Sequence, residues 1–343
     1  VTNIVVAAGG TGGHIYPGLA TANALRNLDP SVQITFIGTP RGLEQRLIPA
    51  AGFDLELVDM VPWRGARRGP EFAYAVVRSS RQAGRVLRRL RADAVVAMGG
   101  YPSLPTVMAA RRRGIPVVIH ESGATAGRAN RLAARFTPNI AVSFASAKFP
   151  GRSPRVTGMP LNTENLTGNP QAYPKPMVFI TGGSQGSVRL NELAVGLAQR
   201  WQDTSTHIVL KTGKDNHVDS GGVLQAYDYL DSIGDAYASA DIVVTRAGAS
   251  TVAELAVWGL PSILVPYPHA LDNDQDYNAA VLADVGGAVV VRDADATADV
   301  VGPVVEDLLA NPDKLSAMRV GAHSVGYADA AETLAQWVLA LAS

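Results

Sequence analysis

Short apolar runs alternate with amphipathic stretches along most of the chain, and this alternation is the strongest signal in the sequence. Ile4 to Ala8, Gln33 to Ile37, Ala94 to Met98, Pro116 to Ile119 and Asn139 to Ser143 read as buried strands, with helical periodicity between most of them. Over residues 161–176 the alternation lapses into a stretch rich in Pro, Asn, Thr and Gly, which reads as a linker. A second series follows at Met177 to Thr181, Ile208 to Lys211, Ile242 to Thr245, Ser262 to Val265 and Ala288 to Val291. Two parallel α/β domains are therefore expected, over residues 1–160 and 177–325, with a C-terminal helix over 326–343 that can return to the first domain. Parallel sheets gather their loops at the carboxyl ends of the strands, so the expected ligand position is a cleft between the two domains.

Composition narrows this reading little, but charge and cysteine count change it. The 343 residues exceed one ordinary core, and 47% apolar with 17% charged residues excludes disorder. There is no cysteine, which removes disulfides, thiolate metal sites and cysteine nucleophiles. The opening VTNIVVAAGG enters a strand-like run directly, so neither an export signal nor a bilayer span is expected. The net charge is zero, yet residues 1–160 hold 21 Lys and Arg against 8 Asp and Glu, while the remainder holds 9 against 22. Nine arginines fall between Arg64 and Arg91, and Arg78, Arg81, Arg85 and Arg88 recur at helical spacing on one face. Pro62, Trp63, Phe72 and Tyr74 lie beside that stripe, a combination suited to a membrane interface carrying anionic lipid. A solvated face, or attraction between oppositely charged domains, remains the alternative. No nucleic-acid recognition module accompanies the charge, so nucleic acid is not an expected partner.

Four loops can carry chemistry. The first strand ends in GGTGGH, Gly9 to His14, ahead of a helix expected from about Pro17. Its glycines allow close backbone approach to a polar or anionic ligand, and His14 can accept the proton of an attacking hydroxyl. A structural tight turn and a helix-capping histidine are the alternatives. The second domain opens with GGSQGS, where backbone amides ahead of a helix near Ser187, helped by Ser184, would cradle a diphosphate without a metal. RAGASTVAE follows another strand: Ala249, Ser250 and Thr251 make a small-residue turn, and Glu254 can accept ribose hydroxyls or serve only the helix dipole. In PHALDNDQDYNA, His269, Asp272, Asn273, Asp274 and Gln275 can orient sugar hydroxyls, and the calcium-loop reading lacks its glycine and distal glutamate. Neither a dinucleotide fingerprint nor a P-loop is present, so a dehydrogenase is not expected.

Taken in order, GGTGGH, MGGYPS, HES, GGSQGS, RAGASTVAE and DNDQDYNA resemble the MurG-type glycosyltransferases over nearly the whole chain. The resemblance implies an α/β GT-B fold of two Rossmann-like domains facing a cleft. It implies inverting transfer of N-acetylglucosamine from UDP-N-acetylglucosamine to the polyprenyl-pyrophosphate-linked acceptor lipid I, with no cofactor or metal. The place implied is the cytoplasmic side, peripheral on the inner face of the plasma membrane. It further implies that Thr11, Gly12, Gly13, Ser184, Gln185, Gly186, Leu230, Ala249, Ser250, Thr251, Val252, Ala253, Glu254 and Gln275 bind substrate, that His14 is the base, and that Glu121 is a second catalytic candidate. Two positions depart from the family pattern: Gly123 stands where it has Asn, and Asn162 where it has Arg. A paralogue using another hexose donor or acceptor, and a non-catalytic sugar-nucleotide-binding protein, are the two other readings.

Overall fold

A computed structural model describes residues 1–60, 69–214 and 216–343. The chain divides into two compact units: residues 1–162 with 328–343, and residues 163–327. The first contains β1 (Asn3–Ala7), α1 (Gly12–Leu28), β2 (Gln33–Gly38), α2 (Glu44–Ala50), β3 (Asp54–Leu57), α3 (Gly69–Arg89), β4 (Ala94–Ala97), α4 (Ser103–Arg112), β5 (Val117–Glu121), α5 (Arg128–Ala133), β6 (Asn139–Val142) and β7 (Arg155–Val156). The second contains β8 (Met177–Thr181), α6 (Val188–Arg200), β9 (His207–Lys211), β10 (Leu224–Tyr227), α7 (Ile233–Ser239), β11 (Ile242–Thr245), α8 (Ala249–Trp258), β12 (Ser262–Leu264), α9 (Asp274–Ala283), β13 (Ala288–Val290), α10 (Ala298–Ala310) and α11 (Pro312–His323). A last helix, α12 (Ala330–Ala342), belongs to the first unit.

Both sheets are parallel throughout, in the orders β3-β2-β1-β4-β5-β6-β7 and β10-β9-β8-β11-β12-β13. In each, the strand order reverses once beside the unit's first strand, between β1 and β4 and between β8 and β11. Chain crossovers leave in opposite directions at such a point, which opens a crevice beyond the strand ends. Helices cover both faces, which is why the central strands are buried end to end and read as continuous apolar runs. The runs missing from the sequence reading, β3, β7 and β10, are edge strands with half-exposed residues and too little apolar density to announce themselves.

Two sequence expectations shift. The first helix starts at Gly12, not near Pro17, because glycines and His14 already form its first turn. Pro17 is tolerated inside it: the intrahelical bond its missing N–H would make to Gly13 is lost, and the Ser122 hydroxyl approaches the Gly13 carbonyl at 3.5 Å. Of residues 161–176, expected as a linker, 163–176 are held against the second unit. Asn169 N–H donates to Asp235 (2.7 Å), Trp258 Nε1–H donates to the Asn165 carbonyl (2.8 Å), and Lys175 pairs with Asp241. The C-terminal helix lies on α1, where Leu334, Ala335 and Val338 are fully buried in one core cluster with Leu19, Ala22 and Leu25. Burying such a Leu or Val is worth about 1.5–3 kcal/mol, enough for α12 to be integral to the unit.

Candidate active site

Two loops of the first unit meet around one imidazole. His14 lies in the first turn of α1, with Nδ1 3.2 Å from Thr11 Oγ1. When Nδ1–H donates to that hydroxyl, Nε2 keeps its lone pair for a substrate proton. Gly99 and Gly100, both with positive φ, form a slot for the ring: a Cβ on Gly99 would lie 3.0 Å from His14 Cδ2, and one on Gly100 2.8 Å from the Gly9 carbonyl oxygen. This explains why MGGYPS carries its glycine pair, and its serine holds the turn by donating to the Gly99 carbonyl. Burial lowers the His14 pKa, so the imidazole is neutral near pH 7, the form a base requires.

Glu44 is the residue that sequence reasoning missed here. Its fully buried carboxylate accepts from Gly10 N–H (3.2 Å), Thr39 N–H (2.9 Å) and the Thr39 hydroxyl (2.7 Å), tying GGTGGH to the end of β2. A glutamate at the start of an amphipathic helix looks like an ordinary dipole partner, so this inward turn is not legible from the residues alone.

Glu121, the second catalytic candidate, is engaged on both carboxylate oxygens. Its oxygens accept from Gly123 N–H (2.9 Å), Gly127 N–H (2.8 Å) and the Asn130 side-chain amide (3.0 Å), and burial raises its pKa. A carboxylate so engaged ties the loop after β5 to the first turn of α5. Its neighbour His120 is fully buried, bonds the Gly158 carbonyl through Nε2 (3.1 Å), and has its pKa pushed down to about 4 by burial.

In the second unit the GGSQGS turn follows β8. Gly183 N–H donates to Thr181 Oγ1 (3.1 Å), and Gly186 N–H points at the Gly183 carbonyl (3.4 Å). Those two amides are therefore committed to the turn, which narrows the expected cradle. The amides of Ser184 and Gln185 have no acceptor among the described residues, and both residues are exposed. Ser187 caps α6 by accepting from Leu190 N–H. Gly186 is obligatory: at φ +75° a Cβ would meet the Thr212 carbonyl oxygen at 2.1 Å.

Across the switch point, Arg246 and Gln275 brace the RAGAS turn. Arg246 donates to Ser187 Oγ (2.8 Å), to Asp293 (2.5 Å) and to the Val265 carbonyl (3.2 Å). Gln275 Oε1 accepts from Ala247 N–H (3.1 Å) and Tyr267 N–H (2.9 Å), leaving its amide nitrogen for a ligand. Glu254 is buried, and its oxygens accept from the Asn165 side-chain amide (2.8 Å) and the Tyr237 hydroxyl (2.9 Å). Burial raises its pKa, and these two bonds oppose the rise. Ala249, Ser250 and Thr251 are half-buried at the start of α8, whose cap is Gly248 and not a side chain. Val252 is fully buried, and Ala253 and Leu230 are nearly so. Asp274 is exposed, and partial desolvation raises its pKa.

The basic helix is amphipathic as expected. Arg78, Arg81, Arg85 and Arg88 are exposed while Val76, Ala83, Val86 and Leu87 are buried. Arg81, Arg85, Arg112 and Arg113 line a groove of about 460 Å³ between α3 and α4. Tyr74 (69% exposed) and Val77 (41%) stand on the same helix. Pro62, Trp63 and Arg64 lie outside the described residues. No described helix is long and apolar enough to cross a membrane, and the described residues contain no group of three or more potential metal ligands.

Two Rossmann-like units, each with glycine-rich turns at its switch point, define the GT-B class of nucleotide-sugar transferase folds. Comparison with known proteins agrees. Residues 4–142 match the glycosyltransferase family 28 N-terminal domain and residues 177–334 its C-terminal domain. A UDP-N-acetylglucosamine--N-acetylmuramyl-(pentapeptide) pyrophosphoryl-undecaprenol N-acetylglucosamine transferase of a Nocardioides species is 39% identical, over 98% of each chain. Its Streptomyces avermitilis counterpart is 38% identical over 97% of this chain and 96% of its own. The crystal structure of Acinetobacter baumannii MurG superposes with a TM-score of 0.82 at 29% identity, over 99% of this chain and 100% of that one. The chain belongs to glycosyltransferase family 28 and, within it, to the MurG-type transferases.

Proposed function

We propose that the chain transfers N-acetylglucosamine from UDP-N-acetylglucosamine to the muramyl-pentapeptide pyrophosphoryl-polyprenol acceptor, with inversion at the anomeric carbon. The observation that carries this reading is the 39% identity to a transferase of that name along 98% of both chains. The site chemistry supports it. Ser184 and Gln185 offer uncommitted amides ahead of α6 for the donor diphosphate, and Glu254 keeps lone pairs for the ribose. His14 takes the acceptor hydroxyl proton on Nε2 as that oxygen bonds to the anomeric carbon. The bond from that carbon to the β-phosphate oxygen breaks, and its electron pair leaves with UDP. Thr11 orients the imidazole, and Gly12 and Gly13 head α1, where N–H groups lack intrahelical acceptors.

The acceptor's lipid must stay in a bilayer while its sugar reacts, and the exposed arginines of α3 with Tyr74 and Val77 suit docking on the anionic inner leaflet. Vesicles of anionic lipid should co-sediment with the protein and neutral ones should not, with binding lost as salt rises. A second reading, a different hexose donor, draws on Gly123, which removes an amide side chain the family pattern carries, and on Asn162, which removes an arginine's charge. Assay of labelled UDP-N-acetylglucosamine with lipid I, beside a panel of other UDP-hexoses, decides. Incorporation from the first alone is expected, and turnover only with another donor or acceptor would refute the reading.

A further inference from the structure

Lys211 closes β9 at the ligand end of the second sheet, in register with Thr181 on β8 and Tyr227 on β10. The residue is 9% exposed, and Nζ donates to the Gly183 carbonyl of the GGSQGS turn at 2.9 Å. Among the described residues no carboxylate pairs with it. Asp228, just past the neighbouring strand, accepts from the Thr212 hydroxyl at 3.0 Å instead. Burial lowers the ammonium's pKa, and nothing within the unit reverses that shift. An unpaired buried ammonium is strongly unfavourable, whereas a neutral donor would support the Gly183 carbonyl without that penalty. The charge thus has a use other than bracing the turn. The turn it braces carries the uncommitted Ser184 and Gln185 amides ahead of the thirteen-residue helix α6. Arg246, another cation near this turn, is already neutralised by Asp293.

We propose that Lys211 is the fixed counter-charge for the diphosphate of the bound nucleotide, an inference that rests on the donor assignment above. When the glycosidic bond to the β-phosphate breaks, the electron pair stays on the phosphate and its negative charge grows. Lys211 keeps its proton throughout, and its attraction strengthens as that charge develops. Because the ammonium is already in place and largely dry, its field reaches the phosphate with little screening.

The test is titration of UDP and of uridine into the wild-type chain and into Lys211→Gln, Lys211→Met and Lys211→Arg. The glutamine retains an N–H donor for the Gly183 carbonyl but no charge; the methionine retains neither. UDP affinity should fall about tenfold or more in both neutral variants, uridine affinity should hold, and arginine should restore most of the UDP affinity. A glutamine variant that binds UDP as the wild type does would reduce Lys211 to a prop for the turn. Equal weakening toward UDP and uridine would point to a disturbed loop and overturn the proposal too. Failure of the wild-type chain to bind UDP would overturn the donor assignment, and this inference with it.

Discussion

At the switch point of the first unit, β1 and β4 diverge around an imidazole held in a glycine slot. At that of the second, β8 and β11 diverge beside uncommitted amides and a buried carboxylate, with the Lys211 ammonium at the end of the neighbouring β9. The strand order about the two crevices is the same, and each is entered by a glycine-rich turn and a helix start. What differs is the electrostatic job. The first crevice disfavours positive charge on its histidine by burying it, which leaves a neutral base. The second holds a cation and aims N–H groups outward, which suits a polyanion. Fold alone does not distinguish these roles; three or four side chains per crevice do.

The sharpest way to break the contrast is to remove the base. His14→Ala should lower transfer by about 10²–10⁴-fold while leaving UDP affinity unchanged, because the two jobs belong to different units. Turnover and calorimetry on one preparation check it, and a parallel loss of UDP binding would contradict the division. The reverse experiment is Gly186→Ala, which places a Cβ 2.1 Å from the Thr212 carbonyl at a positive φ. It should weaken UDP binding and destabilise the second unit by more than about 1 kcal/mol, as read by thermal unfolding.

Glu44→Ala acts on the first unit only. It strands the Gly10 and Thr39 N–H groups, a loss of about 1–3 kcal/mol, and should lower the melting temperature and transfer rate with UDP affinity intact. Smaller effects follow from pH. The His14 pKa is shifted below 6.5 by burial, so kcat/KM should be level at neutral pH and fall only as pH drops through that lowered value. An acid limb centred above pH 7 would contradict the assignment. The smallest expected effect is that of a chelator, which should leave transfer unchanged.

Much of this was legible in the chain itself. Apolar runs found all the central strands because those strands are buried on both faces, and the glycine motifs found the turns because only glycine fits Gly99, Gly100 and Gly186. Side-chain direction was not legible. Glu121 in HES looks like a catalytic acid or base in sequence, but its oxygens are engaged by amides of its own loop. Glu44 and Lys211 look like surface charges, yet one is a buried anchor and the other a buried cation. Asn165 sits in a stretch that reads as linker, and it holds Glu254. Periodicity reports which face a backbone presents, whereas these roles depend on contacts between residues far apart in the chain. The one available hint was a lysine ending the otherwise apolar run IVLK at the carboxyl end of a parallel strand, where ligands bind.

The central claim is that the donor's diphosphate belongs to the second unit and the proton to the first. Backbone amide resonances followed during titration with UDP, without divalent metal, test this most directly. The account predicts that Ser184, Gln185 and the start of α8 shift while Gly10 to His14 stay in place; shifts confined to Gly10 to His14 and Gly99 to Ser103 would contradict it.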